Sequence, residues 1–414
     1  MPPEHRDVSR TRRRVAVAAL LLLGLMAVIP AWGGVRDAPG KDLQIALITY
    51  GPGSIYWERF GHDALQVRDT VSGQSINFNY GVFDFDQKNF LLNFARGRMN
   101  YMMDAERSGP EMQWYVQQGR SVRRQVLALS PQQAAKLRDF LLWNLEPQHM
   151  YYRYDYYINN CTTKVRDALN RVLGGDLEGQ LQDMPSTYTY RQQTDRMMAG
   201  QPWLMLLLDL GLSGYADHPL DAWRDAFLPV ELSRSINQVQ DETGATADHP
   251  LVASDRLLAP GRLPPPPARA PNLVVPMALA GLALAGLLLV LGRSEHDLPQ
   301  ILFGAVASLW LLLAGLAGLF MLAIWTLTTH RAGWANANLL LFNPLAFALL
   351  AAVWRQRVSR RAHLLAWIVA ALALLALVAN LTQLLMQQNL PWILLALPVW
   401  AVLLHVLRRR ALLM

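Results

Sequence analysis

Cys161 is the only cysteine in the 414-residue chain, so no intramolecular disulfide can form. Its thiol is either an inert packing group or a reactive one. It stands in the run Tyr154-Asp155-Tyr156-Tyr157-Ile158-Asn159-Asn160-Cys161-Thr162-Thr163. Beyond that run Val165, Ala168, Leu169, Val172 and Leu173 recur at helical spacing, and Gly174-Gly175 closes the pattern. The spacing predicts a helix whose first turn carries the thiol. Unpaired N–H groups and the helix dipole stabilise a thiolate there, and the same groups suit an oxyanion. A small core residue is the commoner reading of an arbitrary lone cysteine. The helix start, the polar aromatic run before it and the export signals described below favour a nucleophile.

A thiol nucleophile needs a base. His62 and His149 are the main candidates in this part of the chain. His149 lies in a loop between Pro147 and Tyr151, close in sequence to Cys161. His62 opens a strand whose polar face carries few other groups, and a strand-borne His opposite a helix-borne Cys is the arrangement of papain-like sites. The competing reading of His62 is a hydrogen-bonded structural residue. A third group would orient the imidazole: Asn79 or Asn77 from the adjoining strand, or Asp155. A zinc site needs three or four ligands; His62 and Cys161 supply two, with no C-x-x-C or H-E-x-x-H nearby. No metal and no cofactor are expected. Asn160-Cys161-Thr162 matches a glycosylation sequon by chance.

The elements that must position these residues are legible around them. Leu43–Thr49 is apolar and predicts a buried strand, broken by Gly51-Pro52-Gly53. From His62 to Asp69, Leu65 and Val67 alternate with His62, Ala64 and Gln66. After the Ser72-Gly73 turn, Ile76, Phe78 and Tyr80 alternate with Asn77 and Asn79. This is a hairpin with one apolar face. Val122–Leu129 is a further strand. Ser130, Pro131 and Gln133 form a capping-box start for a helix buried through Leu137, Phe140 and Leu141. Pro202–Leu212 and Asp221–Phe227 are further helices. The domain is expected to be α+β.

The overall hydrophobic content of 52% conceals two halves. Residues 35–272 are mixed, whereas 273–407 are dominated by Leu, Ala, Val and Trp. Val15–Trp32, preceded by Arg12, Arg13 and Arg14, reads as an uncleaved signal anchor. Five more spans are expected near Leu273–Gly292, Ile301–Leu327, Leu339–Trp354, Leu364–Met386 and Leu390–Leu407, most approaching the roughly 20 residues needed to cross a bilayer as a helix. The fourth is short and contains Pro344.

The segments flanking the spans carry thirteen Arg against four acidic residues, the outward loops hold only Arg331, and 35–272 is left at a net charge of −3. The basic balance is therefore a topology signal and not a nucleic-acid footprint. It predicts a multi-pass protein of the bacterial inner membrane with 35–272 in the periplasm. The expected organisation is a basic tail and anchor at 1–34, a periplasmic cysteine-enzyme domain at 35–262, a Pro-rich linker at 263–272 and a membrane domain of about five helices at 273–414. The polar loop Thr328–Asn338 offers His330, Asn336 and Asn338 as residues along a substrate path; an ordinary loop is the plainer reading.

Tyr50-Gly51-Pro52-Gly53-Ser54, Trp57-Glu58-Arg59-Phe60-Gly61-His62, Asn79-Tyr80-Gly81-Val82-Phe83-Asp84-Phe85 and Tyr152-Arg153-Tyr154-Asp155 through Cys161 resemble the Lnb-type N-terminal periplasmic domain. Leu220–Trp223 and Phe227–Pro229 continue the resemblance, and His330–Pro344 is similar to the family's C-terminal part. The order His before Cys also resembles the circularly permuted branch of the NlpC-like papain superfamily, to which lecithin:retinol acyltransferases belong. The resemblance implies a permuted papain/NlpC-like α+β domain beside a helical transmembrane bundle, with Cys161 and His62 catalytic. It further implies transfer of a phospholipid acyl chain, through a Cys161 thioester, to the N-terminal amine of a bacterial lipoprotein. The expected partners are thus a phospholipid donor, a lipoprotein acceptor and the membrane, with no nucleic acid. A periplasmic NlpC-like cell-wall amidase or peptidase, or a non-catalytic envelope-maintenance protein, are the alternatives.

Overall fold

The computed structural model describes residues 33–83, 88–241 and 249–411; the expected anchor Val15–Trp32 lies outside the described residues. A seven-stranded antiparallel sheet organises the first domain. Its strands are β1 (Leu43–Tyr50), β2 (His62–Asp69), β3 (Ser75–Val82), β4 (Asn100–Arg107), β5 (Val122–Leu127), β6 (Tyr151–Arg153) and β7 (Val252–Ala259), in the spatial order β7-β5-β1-β2-β3-β4-β6. The expected hairpin forms in the register that alternation requires: Leu65 faces Phe78 and Val67 faces Ile76, while Ala64 faces Asn79 and Gln66 faces Asn77. A one-residue slip would send Leu65 and Val67 to the other face of the sheet. Gly73, at φ +74°, makes the turn.

Helices cover both faces. On one, α2 (Ser108–Gln117) packs through Met112 and Tyr115 against Ala46, Ile48, Tyr50 and Ala64; α1 (Phe90–Ala95) lies in the chain between β3 and β4. On the other, α3 (Pro131–Asn144) and α4 (Cys161–Val172) bury Leu137, Leu141, Val165 and Leu169 against Leu47, Leu65 and Phe78. The Ser130–Gln133 capping box starts α3 as its sequence requires. Next come α5 (Tyr190–Met198) and α6 (Pro202–Gly211). The expected helix at 221–227 is the single turn Ala222–Asp225, capped by Asp221.

Among the described residues, four helices are long and apolar enough to cross a membrane: α7 (Val274–Arg293), α8 (Asp297–Leu327), α9 (Arg360–Leu381) and α10 (Leu390–Ala411). The expected fourth span differs. In place of an α-helix, 337–354 holds two 3-10 segments, Ala337–Leu340 and Pro344–Leu349, with turns between and after them. Pro344 removes an N–H and fixes φ where a helix would need to continue. The segment still runs back along α8. A Cβ at Gly318 would sit 2.5 Å from Asn343 Cα, and one at Gly304 would sit 2.7 Å from the Trp354 ring. Irregular backbone at membrane depth is tolerated when protein surrounds it. Here Trp400 Nε1 donates to Leu341 O at 2.8 Å and Arg410 Nη1 donates to Val353 O at 2.8 Å, both carbonyls that a helix would have satisfied internally.

Candidate active site

Asn160 builds the start of α4. Its side-chain oxygen accepts from Thr163 N at 2.9 Å, while Thr163 Oγ1 accepts from Asn160 N at 2.7 Å. The Asn160 amide also donates to Phe227 O and Tyr156 O. Cys161 is the first helical residue, partly exposed, and this cap leaves the N–H groups of Cys161 and Thr162 free of it. Gly81, in a bulge of β3 at φ +90°, lets the cysteine approach: a Cβ there would lie 3.2 Å from Cys161 Cβ and 3.8 Å from Tyr152 Oη.

Burial pushes the Cys161 thiol pKa up; hydrogen bonds from the Thr162 side chain and from the N–H groups of Asp63 and Thr162 lower it without outweighing burial. The helix start offers donors to a thiolate, yet desolvation of the charged form wins, so the resting group is the thiol. The thiol lies 3.8 Å from Thr162 Oγ1.

His62 opens β2 opposite Tyr50 at the end of β1 and directly precedes Asp63, whose backbone N–H reaches the Cys161 thiol. Burial lowers the His62 pKa, and its hydrogen bond to Asn79 opposes that only in part, so the ring is neutral at pH 7. His62 Nε2 lies 2.9 Å from Asn79 Oδ1. Asn79 Nδ2 in turn donates to Glu111 Oε2 at 2.9 Å, and Tyr50 Oη donates to Glu111 Oε1 at 2.6 Å. Burial raises the Glu111 pKa and the bonds from Tyr50 and Asn79 oppose it; accepting from both, Glu111 holds the Asn79 amide with its oxygen toward the ring. That makes His62 Nε2 the protonated nitrogen and leaves the Nδ1 lone pair to take a proton. A stack of near-parallel rings fixes the plane: Tyr50 to Tyr115 at 3.6 Å and Tyr50 to His62 at 6.1 Å between centroids, with the Arg120 guanidinium 4.6 Å above Tyr115.

The other residues expected at the site are placed elsewhere or otherwise used. Asn77 stands behind the relay, donating to Tyr50 Oη at 3.0 Å and accepting from Ser108. Asp155 is not brought to His62: its Oδ1 accepts from Tyr157 N and Ile158 N, so it shapes the turn before Cys161. His149 packs on Trp143, ring centroids 4.0 Å apart. His330 stacks on Tyr156 at 5.7 Å with its Nε2 3.1 Å from Phe94 O, which places the loop after α8 against the aromatic run leading to Cys161. Asn336 and Asn338 stand in the loop after α8. Both are buried, and their amides donate to Leu210 O at the end of α6 at 2.9 and 3.0 Å, so they clasp the two halves together.

Sequence reasoning missed Glu111, Tyr115 and Arg120. A signal existed for two of them: Ser108, Glu111 and Tyr115 share one face of a single helix, and an acid on such a face needs a partner.

A Glu111→Gln variant tests the relay. A glutamine amide also donates, so Asn79 is no longer held one way round. We expect kcat to fall about tenfold with KM little changed, as second-shell losses commonly do. Glu111 also raises the His62 pKa, so the acid limb of kcat/KM should move to lower pH. An unchanged pH profile with lowered stability would make Glu111 purely structural.

A neutral thiol and a neutral imidazole beside helix N–H groups that the cap leaves unused suit acyl transfer or hydrolysis through a covalent thioester. Residues 30–196 match the family model of the Lnb N-terminal periplasmic domain, and residues 270–410 match that of the Lnb transmembrane domain. No curated protein and no solved structure matches the chain.

Proposed function

Because the chain belongs to the Lnb family and is a membrane protein with a periplasmic domain, we propose that it is an inner-membrane thiol acyltransferase. In this reading it moves a phospholipid acyl chain to the N-terminal amine of bacterial lipoproteins. The reading is supported by the Cys161 helix start lying beside Asp63, the residue that follows a neutral His62 held by Asn79 and Glu111. A helix-borne Cys that follows a strand-borne His also suits a permuted NlpC-like domain.

In the first half-reaction His62 Nδ1 takes the thiol proton as sulfur attacks the donor ester carbonyl. The N–H groups at the start of α4 and of Asp63 hold the tetrahedral oxyanion. The ester C–O bond then breaks, His62 returns its proton to the departing alkoxide, and lysophospholipid leaves a Cys161 thioester. In the second half-reaction the lipoprotein amine, as free base, attacks the thioester. The C–S bond breaks as the amide forms, and the amine proton returns through His62 to the thiolate. Every group that moves a proton belongs to this chain. His330, against Tyr156, borders the approach from the membrane side.

The test is mass spectrometry of a lipoprotein's N-terminal lipopeptide, from cells depleted of their own N-acylating enzyme and supplied with this protein. One added acyl chain on the terminal amine is the expected product. An unchanged diacyl mass at good expression would overturn the reading, and release of muropeptides by the same membranes would replace it with cell-wall amide hydrolysis.

A further inference from the structure

Two short apolar helices flank the site where the domain meets the membrane helices. α1, sequence FLLNFA, has no charged residue and leaves Leu91 78% exposed. α6, sequence PWLMLLLDLG, leaves Trp203 70% and Leu207 48% exposed, and its single acid, Asp209, is buried. Trp57 and Ile158, both about half exposed, lie on segments near the site: the loop leading to His62 and the turn leading to Cys161. Water-facing helices of a soluble domain carry charge on their outer face; these carry none.

Hydrogen bonds fix the level at which both helices sit. Thr329 N, two residues beyond the end of α8, donates to Arg96 O just after α1 at 2.9 Å. The far end of α6 is held by Asn336 and Asn338, in the loop after α8, and Trp392 of α10 donates to Asp209 at 2.7 Å. The N-terminal end of α6 is tied to the segment before Trp57, since Gln201 Nε2 donates to Ser54 O at 3.1 Å. Both helices are thus moored to one end of the membrane bundle. Leu327, at the end of α8 to which they are moored, is itself exposed. An uncharged apolar face with an outward Trp, moored at that end, is the signature of a segment lying in the headgroup and upper acyl layer.

We propose that α1 and α6 lie in the outer leaflet on either side of the Cys161 approach, so that a phospholipid acyl chain reaches the thiol sideways from the bilayer. The identity of that chain as donor rests on the acyltransferase reading; the burial of the two helices in lipid does not.

The experiment uses full-length protein carrying Cys161→Ser, so that a cysteine introduced by Leu91→Cys, Trp203→Cys or Val71→Cys is the only thiol. Val71 is 79% exposed in the turn at the opposite end of β2 from His62. Each protein is labelled with bimane and placed in phosphatidylcholine nanodiscs whose lipid carries a doxyl group near the headgroup. Labels at 91 and 203 should be quenched at least about twofold more than the label at 71, as interfacial burial requires. Equal quenching at all three sites would overturn the proposal. With Cys161 intact, Leu91→Glu and Trp203→Glu should lower transfer from bilayer phospholipid by about tenfold while leaving the alkylation rate of Cys161 by iodoacetamide unchanged. Undiminished transfer in both variants would overturn the sideways path. Strong quenching at 91 and 203 in a protein that transfers no acyl chain would support the leaflet position and sink only the acyltransferase reading.

Discussion

A Cys161→Ala protein is expected to fold and insert normally yet transfer no acyl chain. The exchange removes one sulfur from a partly exposed position, and the helix start does not depend on it, because the Asn160–Thr163 capping box is formed by its neighbours. Loss of stability should stay under about 1 kcal/mol, the range of changes away from a packed core. Loss of the nucleophile removes the covalent route altogether, a fall of at least about a thousandfold in kcat. Trapping a radiolabelled acyl chain on the protein measures this directly: label on the native protein, none on the variant. Acyl-enzyme on the alanine protein, or full turnover by it, would end the thioester mechanism.

The same thiol makes a prediction about pH. Burial raises the Cys161 pKa and lowers that of His62, so at neutral pH the pair rests as thiol and imidazole, not as thiolate and imidazolium. The thiolate fraction then rises about tenfold per pH unit below the thiol's own pKa. Alkylation of this single thiol by iodoacetamide should climb from pH 7 to 9 without a plateau. A plateau beginning near pH 5 would reveal a preformed ion pair and reassign the resting state.

How much of this was legible in the sequence depends on the range over which each feature is determined. The hairpin carrying His62 and Asn79 follows from period-two alternation, and the α3 start from Ser130-Pro131-Gln133. The α4 start at Cys161 follows from its apolar stripe and the Gly174-Gly175 stop. Each is settled within about a dozen neighbouring residues. Strand β4 and the edge strand β7 were not anticipated: Val252–Ala259 lacks alternation because only part of it is covered. Glu111 stayed hidden because its partners, Tyr50 and Asn79, lie 61 and 32 residues away, and nothing local distinguishes an acid in a relay from an acid in solvent. Asn336 and Asn338 are a second case: nothing in the composition of a polar loop at a membrane surface reveals that its amides meet Leu210 O, 126 and 128 residues away. The Leu339–Trp354 span had the right hydropathy, but Pro344 set its local geometry and the small residues of α8 gave it a groove to run in.

Arg191→Met should be the most damaging change outside the site, because one guanidinium joins the two halves of the molecule. Arg191 on α5 is 3% exposed. Its Nε and Nη2 donate to the two Asp217 oxygens at 2.7 and 2.9 Å, its Nη1 donates to Asp209 Oδ1 at 2.7 Å, and Nη2 also donates to Leu212 O at 2.9 Å. The two carboxylates then reach into the membrane half: Asp209 accepts from Trp392 Nε1 and Asp217 from Gln388 N. A third acid crowds the same spot. Asp195, buried and beside these two charges, is pushed up to about 8 and so carries its proton at neutral pH. The cluster is therefore held by a single cation. Methionine keeps much of the volume and removes that cation, leaving two buried carboxylates uncompensated, a loss of about 3–5 kcal/mol. Thermal unfolding of the full-length protein in detergent should show a marked drop in Tm, with release of the domain from the bundle seen as faster proteolysis between 199 and 220. Arg191→Lys should recover only part of the loss, because an ammonium cannot reproduce the fork that engages Asp217 twice. The decisive comparison is the triple variant Arg191→Met, Asp209→Asn, Asp217→Asn: if uncompensated charge is the cause, neutralising both acids restores much of the stability that the single change removes. A triple variant less stable than Arg191→Met would show instead that packing around the guanidinium, and not its charge, holds the halves together.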